Sequence, residues 1–232
     1  MNKRGTHVSI IVSFTIFILF LSFIYTIIQP SILQKQSKQY AIDYLRNYLI
    51  SQTSVNLTSI VIAFNESYIP GELCVSISNP IDASGQNIII KDDSNRKINY
   101  DLEGNSIEFM WNYPKFIKIF YSKEFSTGES PLSECASALE NRDYFLGHVK
   151  KSEYIFESKI EELISTYNEF REEVAAEAGG DFGFALLDEN KEELYSTGEV
   201  DVSTNTYYEA IPIQFVDKEA NLRQGYLLIK TW

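Results

Sequence analysis

Between Val8 and Ile28 the chain runs 21 residues without a charge, VSIIVSFTIFILFLSFIYTII, just after Lys3 and Arg4. A helix of that length, at about 1.5 Å per residue, matches the roughly 30 Å hydrocarbon core of a bilayer. Fifteen of these residues are Val, Ile, Leu or Phe. Each favours insertion by roughly 0.3 to 0.6 kcal/mol near the bilayer centre. The run ends Gln29-Pro30-Ser31, with no A-x-A-like exit, so a retained anchor is expected rather than a cleaved secretory signal. The positive-inside bias places Lys3 and Arg4 in the cytoplasm. The expectation is a single-pass cell-membrane protein, N-terminus cytoplasmic, with everything beyond Gln29 extracellular.

The remaining residues, about 200, suffice for one domain or two small ones. A composition 44% hydrophobic and 14% aromatic supports a packed core rather than disorder. All 32 acidic residues follow the span, against 18 of the 20 Lys and Arg, a balance of −14. Phosphate binding needs clustered cations, so nucleic acid is excluded as an expected partner.

Cys74 and Cys135 are the only cysteines, and in an exported domain such a pair suggests a disulfide. Two cysteines without a nearby histidine do not build a zinc site. Two buried free thiols are the alternative.

Pro30 is expected to break or kink the helix. Beyond it, residues 30–54 read as an amphipathic stalk helix, with Tyr40, Ala41, Tyr44, Leu45, Tyr48 and Leu49 at helical spacing. From residue 55 an extracellular α+β domain follows. The period becomes two, giving strands at 59–64, 73–78, 87–91, 97–102, 106–111 and 116–121, separated by Gly, Pro, Asn and Asp turns. An antiparallel meander is expected. A second long helix is predicted over 152–178, ended by Gly179-Gly180. Strands return at 182–187, 193–196, 207–216 and 222–232, the last two joined by the loop 217–221. The fold class is thus α+β: transmembrane helix, stalk helix, and antiparallel sheet with a second long helix.

Chemistry-bearing motifs are sparse. The sequence contains no G-x-S-x-G, H-E-x-x-H, C-x-x-C, phosphate-binding glycine loop or dinucleotide fingerprint. Asp181-Phe182-Gly183 spells the kinase magnesium tripeptide but lacks its companion motifs, and reads as a helix stop followed by a strand. No catalytic residue, metal or cofactor is expected. Asn56-Leu-Thr58 and Asn65-Glu-Ser67 are glycosylation sequons. Within the apolar run, Thr15, Ser22 and Thr26 make a small-residue stripe of the kind that lets membrane helices approach closely; back-bonding of each hydroxyl to its own helix is the alternative.

Lys3-Arg4-Gly5, followed at once by the apolar helix, resembles the class III signal of archaeal type IV pilin-like proteins. That resemblance implies cleavage between Gly5 and Thr6 by a prepilin-type peptidase, and bundling of the apolar helices with other pilin-like subunits. Bacterial members carry Glu at the fifth mature position, where this chain has Ile10. The segments KIEELISTYNEF and IPIQFVDKEANLRQGYLLIKTW look like membrane-anchored proteins of archaeal small-genome lineages. The expected function is a membrane-anchored structural or interaction protein, pilin-like at its anchor, with the lipid bilayer as first partner. An extracellular ligand-binding or sensing module is the alternative. The seven residues before Val8 are not expected to supply a cytoplasmic signalling domain, so a sensor would act through a partner. A membrane-tethered hydrolase is a third reading, lacking a motif.

Overall fold

A computed structural model describes residues 4–65, 67–68, 70–81, 85–126, 128, 130–132, 134–198 and 206–232, with the side chains of 4–10 and 30–37 excepted. Lys3 of the basic flank and Glu66 of the second sequon lie outside the described residues. The chain is α+β, an apolar N-terminal helix leading into a sheet-rich domain.

Helix α1 spans Arg4–Thr53, 50 residues. The helix continues through Pro30, so the break expected there is absent. Strand β1 (Ser54–Phe64) follows with no connecting loop. Next come β2 (Cys74–Ser78), β3 (Asn87–Lys91), β4 (Lys97–Ile98), β5 (Tyr100–Glu103), β6 (Ser106–Met110) and β7 (Phe116–Ser122). Short strands β8 (Ala136–Ser137) and β9 (Tyr144–Leu146) precede β10 (Lys150–Phe156). Helices α2 (Glu157–Ser165) and α3 (Tyr167–Ala178) lead to β11 (Phe182–Leu187), β12 (Glu193–Ser196), β13 (Tyr207–Val216) and β14 (Leu222–Thr231).

One sheet runs in the order β12-β11-β14-β13-β10-β1-β7-β3-β4, with β9 also on β1. A second has the order β5-β6-β2-β8. The two sheets enclose one core, built from the alternate residues Ile60, Ile62 and Phe64 of β1 with Ile117, Ile119, Val75, Ile107 and Phe109. Period-two alternation sends these to one face and Leu57, Ser59 and Val61 to the other. Where the sequence suggested one strand over 97–102, the chain leaves the first sheet after Ile98 and joins the second at Tyr100. The break at Asn99 carries it across the sandwich.

The second helical expectation needs correction. Residues 150–156 are strand, because the edge of β1 over Ser54–Ser59 needs backbone partners and pairs antiparallel with Lys150–Ile155. Ile155 and Phe156 then enter different cores. The helical remainder is split at Thr166, whose φ of −98° and ψ of 7° leave the α region. Gly179 ends α3 in the left-handed conformation, φ 76°, its N–H donating to the Ala175 carbonyl at 3.0 Å. The meander is not wholly antiparallel either: β10 pairs parallel with β13, and β2 with β8. The β10–β13 contact, Ile155 with Phe215 and Phe156 with Val216, joins the first half of the sheet to the last.

Candidate functional site

The feature that distinguishes this chain is how α1 divides its length. Residues Ile11–Gln29 form a helix long and apolar enough to cross a membrane, with none of it buried against the rest of the protein. Further along, Ala41, Ile42, Leu45 and Leu49 are buried. They recur on one face at helical spacing and share a core with Ile160, Tyr167, Val174, Phe182, Phe215 and Ile229. At roughly 25 cal/mol per Å² of apolar surface removed from water, each large aliphatic side chain so buried contributes about 1.5 to 3 kcal/mol.

Polar contacts fix the register of the helix on the domain. The Tyr44 hydroxyl donates to Glu177 on α3 at 2.5 Å, a bond that pushes the Tyr44 pKa up to about 12. Arg46 Nη2 donates to Glu209 of β13 at 2.5 Å, and Asp43 lies 3.3 Å from Arg46 Nη1. Tyr48 stacks on Tyr44 and tilts against Phe170. Thr53, the last helical residue, donates to the Leu49 carbonyl at 2.7 Å before the chain turns into β1. Helix and sheet are thus one covalent and packed unit.

Thr15 and Thr26, two members of the small-residue stripe, donate to their own helix: Thr15 Oγ1 to the Ile11 carbonyl at 2.9 Å, Thr26 Oγ1 to Phe23 and Ser22 at 2.9 and 3.1 Å. Internal bonding leaves those two hydroxyls with no unsatisfied donor where water is absent. Thr15, Ser22 and Thr26 line one exposed face. The Gly5–Thr6 bond lies within the first turn of α1.

Cys74 and Cys135 are joined by a disulfide, Cα atoms 4.7 Å apart. The bond ties β2 to the segment before β8, where β2 and β8 already pair. Asn56 is exposed on β1, opposite Glu153 of β10. Asn65 follows β1, its side-chain oxygen accepting from the Ser67 backbone N–H at 3.2 Å and the Ser67 hydroxyl at 2.9 Å. The Asp181-Phe182-Gly183 tripeptide is built into the fold. Arg171 Nε donates to Asp181 at 2.9 Å, Phe182 is buried, and a Cβ at Gly183 would meet Thr197 Oγ1 at 3.0 Å.

Among the described residues, no group of three or more His, Cys, Asp or Glu side chains is placed to hold a metal ion. His148 is exposed between β9 and β10. A cavity of about 160 Å³ opens on the outer sheet face, between Leu57, Phe120 and Tyr154 and, from the β13–β14 hairpin, Val216 at the end of β13 and Ala220 of the loop. Asn221, which sequence reasoning treated as a plain loop residue, reaches the buried Lys91 from that loop. Nothing in the local sequence signals the pair, because it lies 130 positions apart. Compared with protein-family models, curated proteins and solved structures, the chain matches none.

Proposed function

We propose that this protein is a membrane-anchored surface protein whose α1 crosses the bilayer over Ile11–Gln29 and presents the α+β domain on the outer side. One observation carries the reading: a single continuous helix is bare over its apolar half and buried along one face of its other half. The 19 residues of this stretch span about 28 Å at 1.5 Å each, close to a hydrocarbon core of roughly 30 Å. Water-exposed, the same surface would be an aggregation hazard; in lipid it is matched. Because α1 runs unbroken from the apolar stretch to β1, helix rather than loop joins the domain to its anchor.

The pilin-like character is part of this proposal. After cleavage at Gly5–Thr6 the helix begins with a new α-amino group, largely protonated at neutral pH. Ile10 offers it no counter-charge in a neighbouring subunit. Lateral contact therefore rests on packing through Thr15, Ser22 and Thr26, each polar contact contributing about 0.6 kcal/mol. That favours a minor subunit or a solitary anchor over a major filament protein. The domain's role is structural or interactive, in a surface assembly.

Three experiments test it. Protease added outside intact cells digests the domain if the orientation is right; a fully protected domain rejects the orientation. Terminal sequencing of the native protein finds Thr6 first if the signal is processed, and an intact Met1 or Asn2 refutes processing. Where Thr6 is first, Ser22→Cys captures disulfide-linked pairs if helices associate, whereas its failure to do so leaves a solitary anchor.

A further inference from the structure

Lys91 is the last residue of β3 and sits on the outer sheet face, directly opposite Lys118 of β7. Two like charges at opposed positions repel, and Lys91 is also only 2% exposed. A buried ammonium is costly unless it is compensated. Among the described residues no carboxylate forms an ion pair with it within 4 Å; its Nζ is 2.5 Å from Oδ1 of Asn221, in the loop between β13 and β14. Lys91 Nζ also lies 5.9 Å from the centre of the Phe120 ring.

The surroundings of Asn221 are equally specific. Asn95 Nδ2 donates to the same Oδ1 at 3.0 Å. Asn221 Nδ2 donates to Asp217 Oδ2 at 2.9 Å. Asp217 is itself buried, 5% exposed, and Arg223 Nε donates to it at 2.7 Å. Val216 and Ala220 seat the loop against Ile89 and Phe156, and Ala220 takes a left-handed φ of 58° in the turn that leads into β14.

We propose that Lys91 and Asn221 condense to an intramolecular amide, with Asp217 moving the proton and Asn95 polarising the carbonyl. A nucleophilic amine, an amide carbonyl, a donor at the carbonyl oxygen and a carboxylate at the leaving nitrogen are the parts such a transfer needs. Neutral Lys91 Nζ attacks Asn221 Cγ, and the carbonyl electron pair moves to Oδ1, where Asn95 donates. In the adduct Nζ shares Cγ with Nδ2, the nitrogen that already donates to Asp217, and there Asp217 takes a proton from Nζ and delivers it to Nδ2. The Cγ–Nδ2 bond then breaks, ammonia leaves, and the carbonyl re-forms on a secondary amide. One amine and one primary amide give one secondary amide and ammonia, with no oxidant or cofactor.

Removal from water lowers the Lys91 pKa, and Lys118 lowers it further, against the pull of Asp217 and Glu219; the neutral amine becomes more accessible. Burial alone would raise the Asp217 pKa, but hydrogen bonds from Asn221 and the loop backbone, with Arg223 beside it, outweigh that and hold it below the usual carboxylate range, so the group stands ionised, with an oxygen accepting from Nδ2. The product ties β3 to the β13–β14 loop across the sheet. Such a bond suits a domain exposed to proteases and force, since it survives reduction.

The test is peptide mapping of the denatured, reduced full-length protein. Trypsin cleaves after an unmodified Lys91 and releases 219–223 as a linear peptide. The expected result is 219–223 attached to an uncleaved Lys91, lighter than the sum of its parts by one ammonia. Lys91→Arg is expected to abolish the branch, and Asp217→Asn, which disturbs the acceptor that Asn221 Nδ2 and Arg223 Nε share, to reduce it severalfold. Cleavage after Lys91 together with a linear 219–223 carrying an intact Asn221 overturns the proposal. An undiminished branch in Asp217→Asn overturns the assignment of the proton carrier.

Discussion

Arg46 of α1 reaches Glu209 of β13 with 2.5 Å between Nη2 and Oε1, across 163 positions of sequence. Both side chains are about one-third exposed, so the pair is worth on the order of 1 kcal/mol or less, mainly as a register mark. The weight of the joint rests on the apolar face beside it.

That division gives the first expected outcome. Leu45 is fully buried between α1 and the domain. Leu45→Ala is expected to destabilise the domain by about 2 to 5 kcal/mol. Arg46→Ala is expected to cost far less. Thermal melts of the two full-length variants in detergent check the order; equal losses would mean that the polar contact, not burial, seats the helix.

A second outcome concerns acid. Asp181 is held below the ordinary carboxylate range chiefly by the hydrogen bond from Arg171. Its stabilising contribution is complete above the unfolded Asp value of about 3.9 and fades as pH falls through the lower folded value. Arg171→Met is expected to lower the melting temperature at neutral pH and to converge with the wild type in strong acid.

Glu108 behaves oppositely. Burial first, then the nearby Glu103 and Asp101, raise its pKa. Its charge at neutral pH therefore costs stability, a cost relieved as pH falls through the raised folded value toward the unfolded value of about 4.3. Glu108→Gln is expected to raise the melting temperature at pH 7, with the gain shrinking in acid. A loss at pH 7 would contradict this account of Glu108.

Gly225 of β14 is required by space. A Cβ there would lie 2.4 Å from the Leu187 carbonyl oxygen and 2.9 Å from Phe215 Cε1. Gly225→Ala is expected to destabilise by about 1 to 3 kcal/mol through forced backbone shifts, whereas Gly71→Ala, with open space around it, is expected to be close to neutral. Chemical denaturation of both variants checks the contrast.

The disulfide offers a further measurement. Cys74 and Cys135 are 61 positions apart, and closing a loop of that size stabilises by roughly 4 kcal/mol in the chain-entropy model. Reduction, or paired Cys→Ser substitution, is expected to lower the denaturation midpoint by a corresponding amount.

How far the fold could be read beforehand follows from the range of the forces involved. The apolar run, the short strands over 87–91 and 182–187, the alternating strand over 207–216 and the glycine stop at Gly179 are local patterns, and each stands where the sequence puts it. Residues 150–156 carry a helix-compatible pattern, but the open edge of β1 claims them. The change of sheet at Asn99 and the parallel pairing of β10 with β13 depend on which strands meet, which local periodicity does not encode. The Cys74–Cys135 disulfide was suggested by a lone pair of cysteines in a domain read as exported, with two free thiols as the alternative that the fold removes. Lys91 and Asn221 were not legible, since Asp92–Asn95 and Asp217–Asn221 each read as ordinary turns until the fold sets them together.

The central claim is that Ile11–Gln29 holds the chain in a bilayer. Washing membranes that contain the full-length protein with alkaline carbonate tests it most directly, because peripheral proteins are released and spanning ones are not. The uncleaved or Thr6-starting chain is expected to stay in the membrane pellet. Its recovery in the supernatant, or a membrane-free form cut beyond Gln29, would contradict the account.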